Sequence, residues 1–256
     1  NDISITRGVV RSTTGIVDGA ATSLSRNQVD IEIPVTIIKQ IDVAFAPDNY
    51  EIDPGYSNGG RSGGRSSSSL SNTVWHALAV SGPGLADDVI FHDSLTQSSV
   101  FNELQKVGGY THYARIGSII RSSGSIRAFI QSGDTFKWKV PVVDVAAAAN
   151  PGTSAVLRTL TVPTGVTVSA EITVNLTNGS NNYYCLVTSP DQTDTAPSSG
   201  CFSLHCFGAS QVYESVILSV LTDTSAQIRT RQSISGASDT MSIITHGWRD
   251  RRSMND

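Results

Sequence analysis

Apolar and polar residues alternate one by one over long stretches of this chain, and proline and glycine repeatedly cut the alternation short. The run from Val142 to Ala170 reads VVDVAAAANPGTSAVLRTLTVPTGVTVSA. A period of two puts successive side chains on opposite faces of an extended strand. Asn150-Pro151-Gly152 and Pro163-Thr164-Gly165 end each run before a helix of ordinary length fits. A chain so punctuated is confined to short strands joined by turns. We expect an all-β fold of two antiparallel β-sandwich domains.

The same pattern recurs along most of the sequence. Thr73–Val80 and Val89–Ser94 read as strands around a Gly-Pro-Gly turn. His112–Val143 reads as three strands, with turns at Ser122-Ser123-Gly124 and Ser132-Gly133-Asp134. Seven more strands are expected near 154–162, 167–176, 182–190, 201–208, 213–222, 225–233 and 240–248. Asn178-Gly179 is a tight-turn signal. Val100–Val107 is the best helical candidate, about two turns long. In the N-terminal part, Asp30–Ile33 and Val35–Phe45 are β-branched and apolar, and Pro34 makes them an edge strand or two strands at a bend.

Four alanines and Asn-Pro-Gly at 146–152 form a compositional break, read as a domain boundary that leaves room for one helical turn. The expected organisation is therefore an N-terminal strand and attachment segment at 1–29 and a β-sandwich at 30–148 with a Gly/Ser-rich loop at 53–72. A linker at 149–153, a second β-sandwich at 154–249 and a charged tail at 250–256 complete it. A length of 256 residues accommodates two such domains. The opening Asn1, in place of Met, fits a processed terminus or a segment of a longer chain.

Charged residues make up 16% of the chain, against ~25% in typical soluble domains. Ser, Thr, Asn and Gly take their place, a surface suited to subunits packed against one another. The net charge of −4 argues against a general attraction to nucleic acid or to anionic membranes. No run approaches the ~18 apolar residues that a spanning helix needs, so membrane insertion is not expected.

The usual chemistries lack their spacing. Arg61 and Arg65 stand in a glycine-rich loop, but no Gly-Lys-Ser/Thr follows to make a phosphate loop. Cys201 and Cys206 bracket His205, yet no second ligand pair completes a zinc site, and three cysteines cannot form a complete disulfide framework. Free thiols are expected. His76, His92, His112, His205 and His246 show no metalloenzyme spacing, although His76 and His92 should lie close on neighbouring strands. Gly-x-Ser-x-Gly is absent. Asp87 and Asp88 would point to opposite faces of a strand, and Asp191 and Asp194 sit in a loop. We expect no catalytic residues, no metal and no cofactor.

Binding is the remaining reading. Tyr56, Arg61 and Arg65 of the Gly/Ser-rich loop, with Tyr110 and Tyr113, are the expected receptor-binding residues. Aromatic faces suit sugar C–H surfaces, and arginines supply hydrogen bonds. Tyr183 and Tyr184 must face opposite ways, so one is core and the other is available for a sugar or a subunit.

Four blocks carry a resemblance: RIGSIIRSSGSIRAFIQSGDTFKW at 115–138, NPGTSAVLRTLTVPTGV at 150–166, SPDQTDTAP at 189–197 and ITHGWRDRR at 244–252. Together they resemble the C-terminal part of tail-associated or fibre-like virion proteins of tailed bacteriophages. Trp75-His76 at a strand start resembles the Trp-His strand opening of laminin-G-like and other lectin-type jelly rolls. The family resemblance implies a non-enzymatic virion protein, a tail fibre or receptor-binding component active in host attachment. It implies a homotrimer, contacts with other virion proteins of the tail or head, and a host cell-surface glycan as a partner. Its location would be the virion, after synthesis in the bacterial cytoplasm. A structural adaptor or a capsid-decorating head fibre is the alternative. A polysaccharide-degrading tailspike is a third reading, but the chain lacks the repeated coils of a parallel β-helix.

Overall fold

The computed structural model describes residues 27–28, 51–52, 71–81, 83, 88–107, 110–132, 134–149, 151–177, 182–207, 213–236 and 238–250. Strands dominate, and they are grouped in antiparallel sheets. The elements in chain order are β1 (Asn27–Gln28), β2 (Glu51–Ile52), β3 (Val74–Ser81), β4 (Asp88–His92), α1 (Gln97–Val107), β5 (His112–Ser122), β6 (Ser125–Ile126) and β7 (Phe129–Ser132). They continue as β8 (Thr135–Ala149), β9 (Val156–Thr159), β10 (Ser169–Thr177), β11 (Tyr183–Thr188), β12 (Leu204–Cys206), β13 (Tyr213–Leu221), β14 (Gln227–Gln232) and β15 (Thr240–Arg249).

Two compact units make up the chain, one reaching to Thr135 and the other spanning Phe136–Asp250. The expected boundary at 149–153 thus differs from the observed one. The alanines at 146–149 do not form a helical turn but continue β8 as strand, with Ala147 at a φ of 44°. The break comes earlier because β8 takes its place in a sheet of the second unit.

In the first unit the sheet order is β4-β3-β5-β6. β3 pairs with β4 through His76↔His92 and Leu78↔Ile90. The β5–β6 hairpin closes through Ser122↔Ser125 around Ser123 and Gly124, both at positive φ (51° and 79°). Two positive-φ residues between paired positions make a type I′ turn, whose twist matches that of its strands. Helix α1 begins three residues before the expected Val100. Thr96, just ahead of Gln97, is a favoured N-cap residue, and its carbonyl accepts from the Val100 N–H at 3.0 Å. At the other end the Tyr110 N–H reaches the Leu104 carbonyl at 3.2 Å. Val100 and Leu104, one turn apart, pack with Leu78, Val80, Ile90 and Tyr110. A helix therefore covers this sheet face, where a sandwich would have a second sheet.

The second unit holds two sheets. One runs β13-β10-β15-β8 and the other β12-β11-β14-β9. All seven strands expected beyond residue 153 are present. Burial alternates along β10, where Ala170, Ile172, Val174 and Leu176 are all fully buried. β14 and β15 alternate as well. Burying each such aliphatic side chain contributes roughly 1.5–3 kcal/mol. Asn178-Gly179 lies outside the described residues, and β10 and β11 on either side of it belong to different sheets.

β15 carries a bulge. Glu171 of β10 faces Gly247, while the next residue, Ile172, faces Thr245, which leaves His246 as the extra residue. Met241, Ile243 and Thr245 point inward, and strict alternation would turn Trp248 outward. The extra residue resets the phase. Trp248 instead lies buried, stacked on Phe136 with centroids 4.8 Å apart and planes 3° from parallel. Trp138 packs on it at 4.8 Å and donates its indole N–H to the Thr161 carbonyl at 3.0 Å. Gly247 permits the bulge to sit against β8, since a Cβ there would lie 2.0 Å from the Phe136 carbonyl oxygen and 2.8 Å from the Lys137 Cα.

Asp144 of β8 ties the sheets together. Its carboxylate accepts from the Thr161 N–H at 2.8 Å, the Thr161 hydroxyl at 2.5 Å and the Thr245 hydroxyl at 2.5 Å. Hydrogen bonds to a charged acceptor are each worth about 1.5–3 kcal/mol.

Gly247→Ala should lower the denaturant midpoint of the second unit, followed by tryptophan fluorescence, with a loss of about 3–5 kcal/mol, because the clash is with backbone that cannot rotate away. An unchanged midpoint would refute the role given to this glycine.

Candidate functional site

Two side-chain clusters stand out, one buried in the first unit and one exposed on the second. The buried cluster owes its existence to another bulge. In the β3–β5 pair, Ala77 faces Gly117 and Leu78 faces Arg115, so β5 carries an extra residue at 116. Arg115 and Ser118, three apart, thereby come to the same sheet face. The Arg115 Nη1 donates to Ser118 Oγ at 3.1 Å, and Ser118 Oγ lies 2.8 Å from His76 Nδ1. His92, opposite His76, places its Nε2 3.0 Å from Ser99 Oγ of α1 and its Nδ1 3.6 Å from the Asp93 carboxylate. The expected nearness of the two histidines is thus observed.

Burial, helped by the Arg115 charge and then by His92, holds His76 down to about 3, so the ring is neutral near pH 7. A serine hydroxyl between an imidazole and a guanidinium has the parts of an activated nucleophile. Ser118 is wholly buried and His76 only 2% exposed, so α1 and the sheet close these groups to a substrate in this state.

The exposed cluster lies on the outer face of the β12-β11-β14-β9 sheet. Tyr183 and Tyr184 part as expected, Tyr183 buried and Tyr184 facing outward. Tyr184 is opposite His205 of β12, and their rings stack at 4.4 Å and 24°. Phe202 lies 5.3 Å from Tyr184, and Phe207 lies 4.2 Å from His205. Phe202 is 45% exposed and Phe207 60%. Four rings thus form one outward-facing platform on and beside an edge strand. Cys206 and Leu204, between these outward residues, face inward. His205 and Cys206 therefore point to opposite faces, away from the shared zinc geometry weighed in the sequence. Cys185, Cys206 and Cys201 are outside any disulfide, the first two buried and the third exposed, and burial pushes the Cys185 thiol up to about 12.

Beside the platform, two arginines of β14 hold the loop at 189–197. Arg229 donates to the Thr188 hydroxyl at 3.2 Å and to the Ser189 and Gln192 carbonyls at 3.3 and 2.5 Å. Arg231 reaches the Thr153 carbonyl and Asp194 Oδ2, each at 2.8 Å. Within the loop, the Ser189 side chain accepts from the Asp191 N–H and the Gln192 side chain accepts from the Ser189 N–H. Serine and glutamine side chains thus shape the start of this loop, and Asp194 serves as an ion-pair partner.

Of the residues singled out for receptor binding, Tyr110 is buried at 3% exposure in the core under α1, and Tyr113 packs half-buried against the same core. Tyr110 is not the surface aromatic that was expected, because its place just after α1 turns it under the helix. Tyr56, Arg61 and Arg65 lie outside the described residues. The platform was half legible: period two separates Tyr183 from Tyr184, and the same rule applied to Phe202–Phe207 would have put His205 and Phe207 on one face. Gly117 inside a strand pattern was the unused signal for the bulge that gathers the buried cluster.

No family model matches this chain, and no match was found among curated proteins.

Arg229→Met should loosen the loop at 189–197. Losing three bonds from one cation costs about 2 kcal/mol of local stability, or ~30-fold faster amide exchange there, while β10 and β15 keep their protection. Unchanged exchange would show that the loop holds itself.

Proposed function

We propose that this chain is a non-enzymatic virion protein of a tailed bacteriophage, a homotrimeric tail-fibre or receptor-binding component that recognises a host cell-surface glycan. The observation that carries the reading is the platform of Tyr184, Phe202, His205 and Phe207, whose two phenylalanines are 45% and 60% exposed. Apolar rings gathered on a surface mark a contact site. Their flat faces match the C–H face of a pyranose, and Asp194 and Arg231 close by offer partners for hydroxyls. A rigid sheet with a pinned loop is the kind of scaffold on which recognition residues are held. We read the two sheets of the second unit as the layers of a jelly-roll-like sandwich, supported by their alternating burial and the Asp144 link between β8 and Thr161.

A second surface supports self-association. On the edge strand β13, Tyr213, Ile217 and Leu221 repeat every fourth residue and are 75%, 69% and 44% exposed. Only serines lie between them on that face. An apolar, uncharged stripe of this sort suits burial between identical subunits. It equally suits an adaptor or head-fibre protein packed among other virion proteins, which is the alternative reading.

Two measurements test the proposal. Purified full chain should bind host surface polysaccharide without generating new reducing ends. Phe202→Ala with Phe207→Ala should weaken that binding about 30-fold, the equivalent of ~2 kcal/mol. Sustained release of reducing ends would overturn the non-enzymatic reading, and undiminished binding would move the site elsewhere. Sedimentation equilibrium should give a trimer that Ile217→Asp dissociates; a wild-type monomer at micromolar concentration would refute the oligomer.

A further inference from the structure

We propose that the His76–His92 pair is an acid-sensitive latch beneath α1, neutral and closed near pH 7, whose protonation releases the helix from the sheet. The geometry supplies the argument. The pair sits on the sheet face that α1 covers, next to Leu78, Val80 and Ile90, and both rings are almost completely buried. Among the described residues, the charged or titratable groups that face His76 are Arg115 from β5 and His92 from β4. Asp93 stands beside His92. α1 contributes the Ser99 hydroxyl and β5 the Ser118 hydroxyl.

Among the described residues, three side chains able to carry positive charge thus lie together almost completely buried, with the Asp93 carboxylate beside His92. With His76 neutral, both serine hydroxyls and both rings have partners. Arg115 donates to Ser118, and Ser118 can give its own proton to the His76 Nδ1 lone pair. A proton on His76 removes that lone pair and places a cation next to a guanidinium. Asp93, 3.6 Å from the His92 Nδ1, can pair with a charged ring there. A charged His92, however, stands directly across from His76 and opposes the second proton. Relief comes only by admitting water, and α1 is the cover. Ser99 links α1 to His92, so the helix feels the change directly.

The direction follows from linkage. The closed form keeps His76 neutral down to about 3, while in the open form the ring titrates at its ordinary 6.5. Between those values the open form holds the additional proton, so closure is fully stable above 6.5 and weakens as pH falls below it. One such proton multiplies the opening constant up to about tenfold per pH unit.

The test is amide exchange on the full chain from pH 7 to 4.5, corrected for the intrinsic pH dependence of exchange. Opening of α1 and of the β3–β4 pair should rise about 50-fold between pH 6.5 and 4.5, while β10 and β15 hold. His76→Gln, which keeps the bond to Ser118 but cannot take a proton, should flatten the rise. A flat wild-type profile would overturn the latch, as would an equally steep rise in His76→Gln. Should that variant fail to fold, the wild-type protein decides the matter by NMR. The His76 Cε1–H shift must stay constant in the native state down to pH 4.5, and a native His76 titrating near 6.5 would sink the proposal.

Discussion

A single extra residue in β15 sets the core of the second unit. Because side chains alternate strictly along a strand, one inserted residue exchanges the inside and outside faces for everything beyond it. The insertion at His246–Gly247 turns Trp248 inward at the point where β8 presents Phe136 and Trp138. Without it Trp248 could not meet Phe136 and Trp138. The condition is steric: the bulged backbone rides so close to β8 that only a residue without a Cβ fits. His246 itself is sent outward, where its Nε2 bonds the Thr173 hydroxyl at 2.6 Å.

The first unit uses the same device to a different end. There the bulge in β5 gathers Arg115 and Ser118 on one face beside His76, and the result is a buried polar network in place of a stack of rings. Polar groups in a low-dielectric interior are stable only while every one keeps its partner. The half of the sheet face around Leu78, Val80 and Ile90 is held by apolar packing against α1, and the half around His76 and His92 by hydrogen bonds. The two halves thus rest on different interactions.

Strand identity was legible because it depends on neighbours in the sequence. Alternation over residues 154–248 located all seven strands, and the Ser-Gly pair at 123–124 gave its hairpin. Partnership between strands depends on distant residues and was not legible in the same way. Asn178-Gly179 has the chemistry of a hairpin turn, yet β10 and β11 go to different sheets. The alanine run at 146–149 has good helix propensity, but pairing within a sheet overrides so weak a preference. Burial failed locally for Tyr110, whose polar tip suggested a surface and whose position after α1 gave it a core. The aromatic platform needed both kinds of knowledge, the alternation within β12 and the register that sets Tyr184 against His205.

The position of β15 has a consequence for how this protein comes into being. In its sheet β15 lies between β10 and β8, a central place filled by the last strand of the unit to emerge from the ribosome. Asp144 must wait for Thr245, more than a hundred positions downstream in the order of synthesis, before its carboxylate is fully engaged. Until then β8 and β10 have no common neighbour, and the earlier strands hold only half a sheet. Loop closure over such a span makes assembly slow. It also makes the unit a check on its own completeness: a nascent chain cut short before Thr240 has the flanking strands of this sheet but no centre to join them.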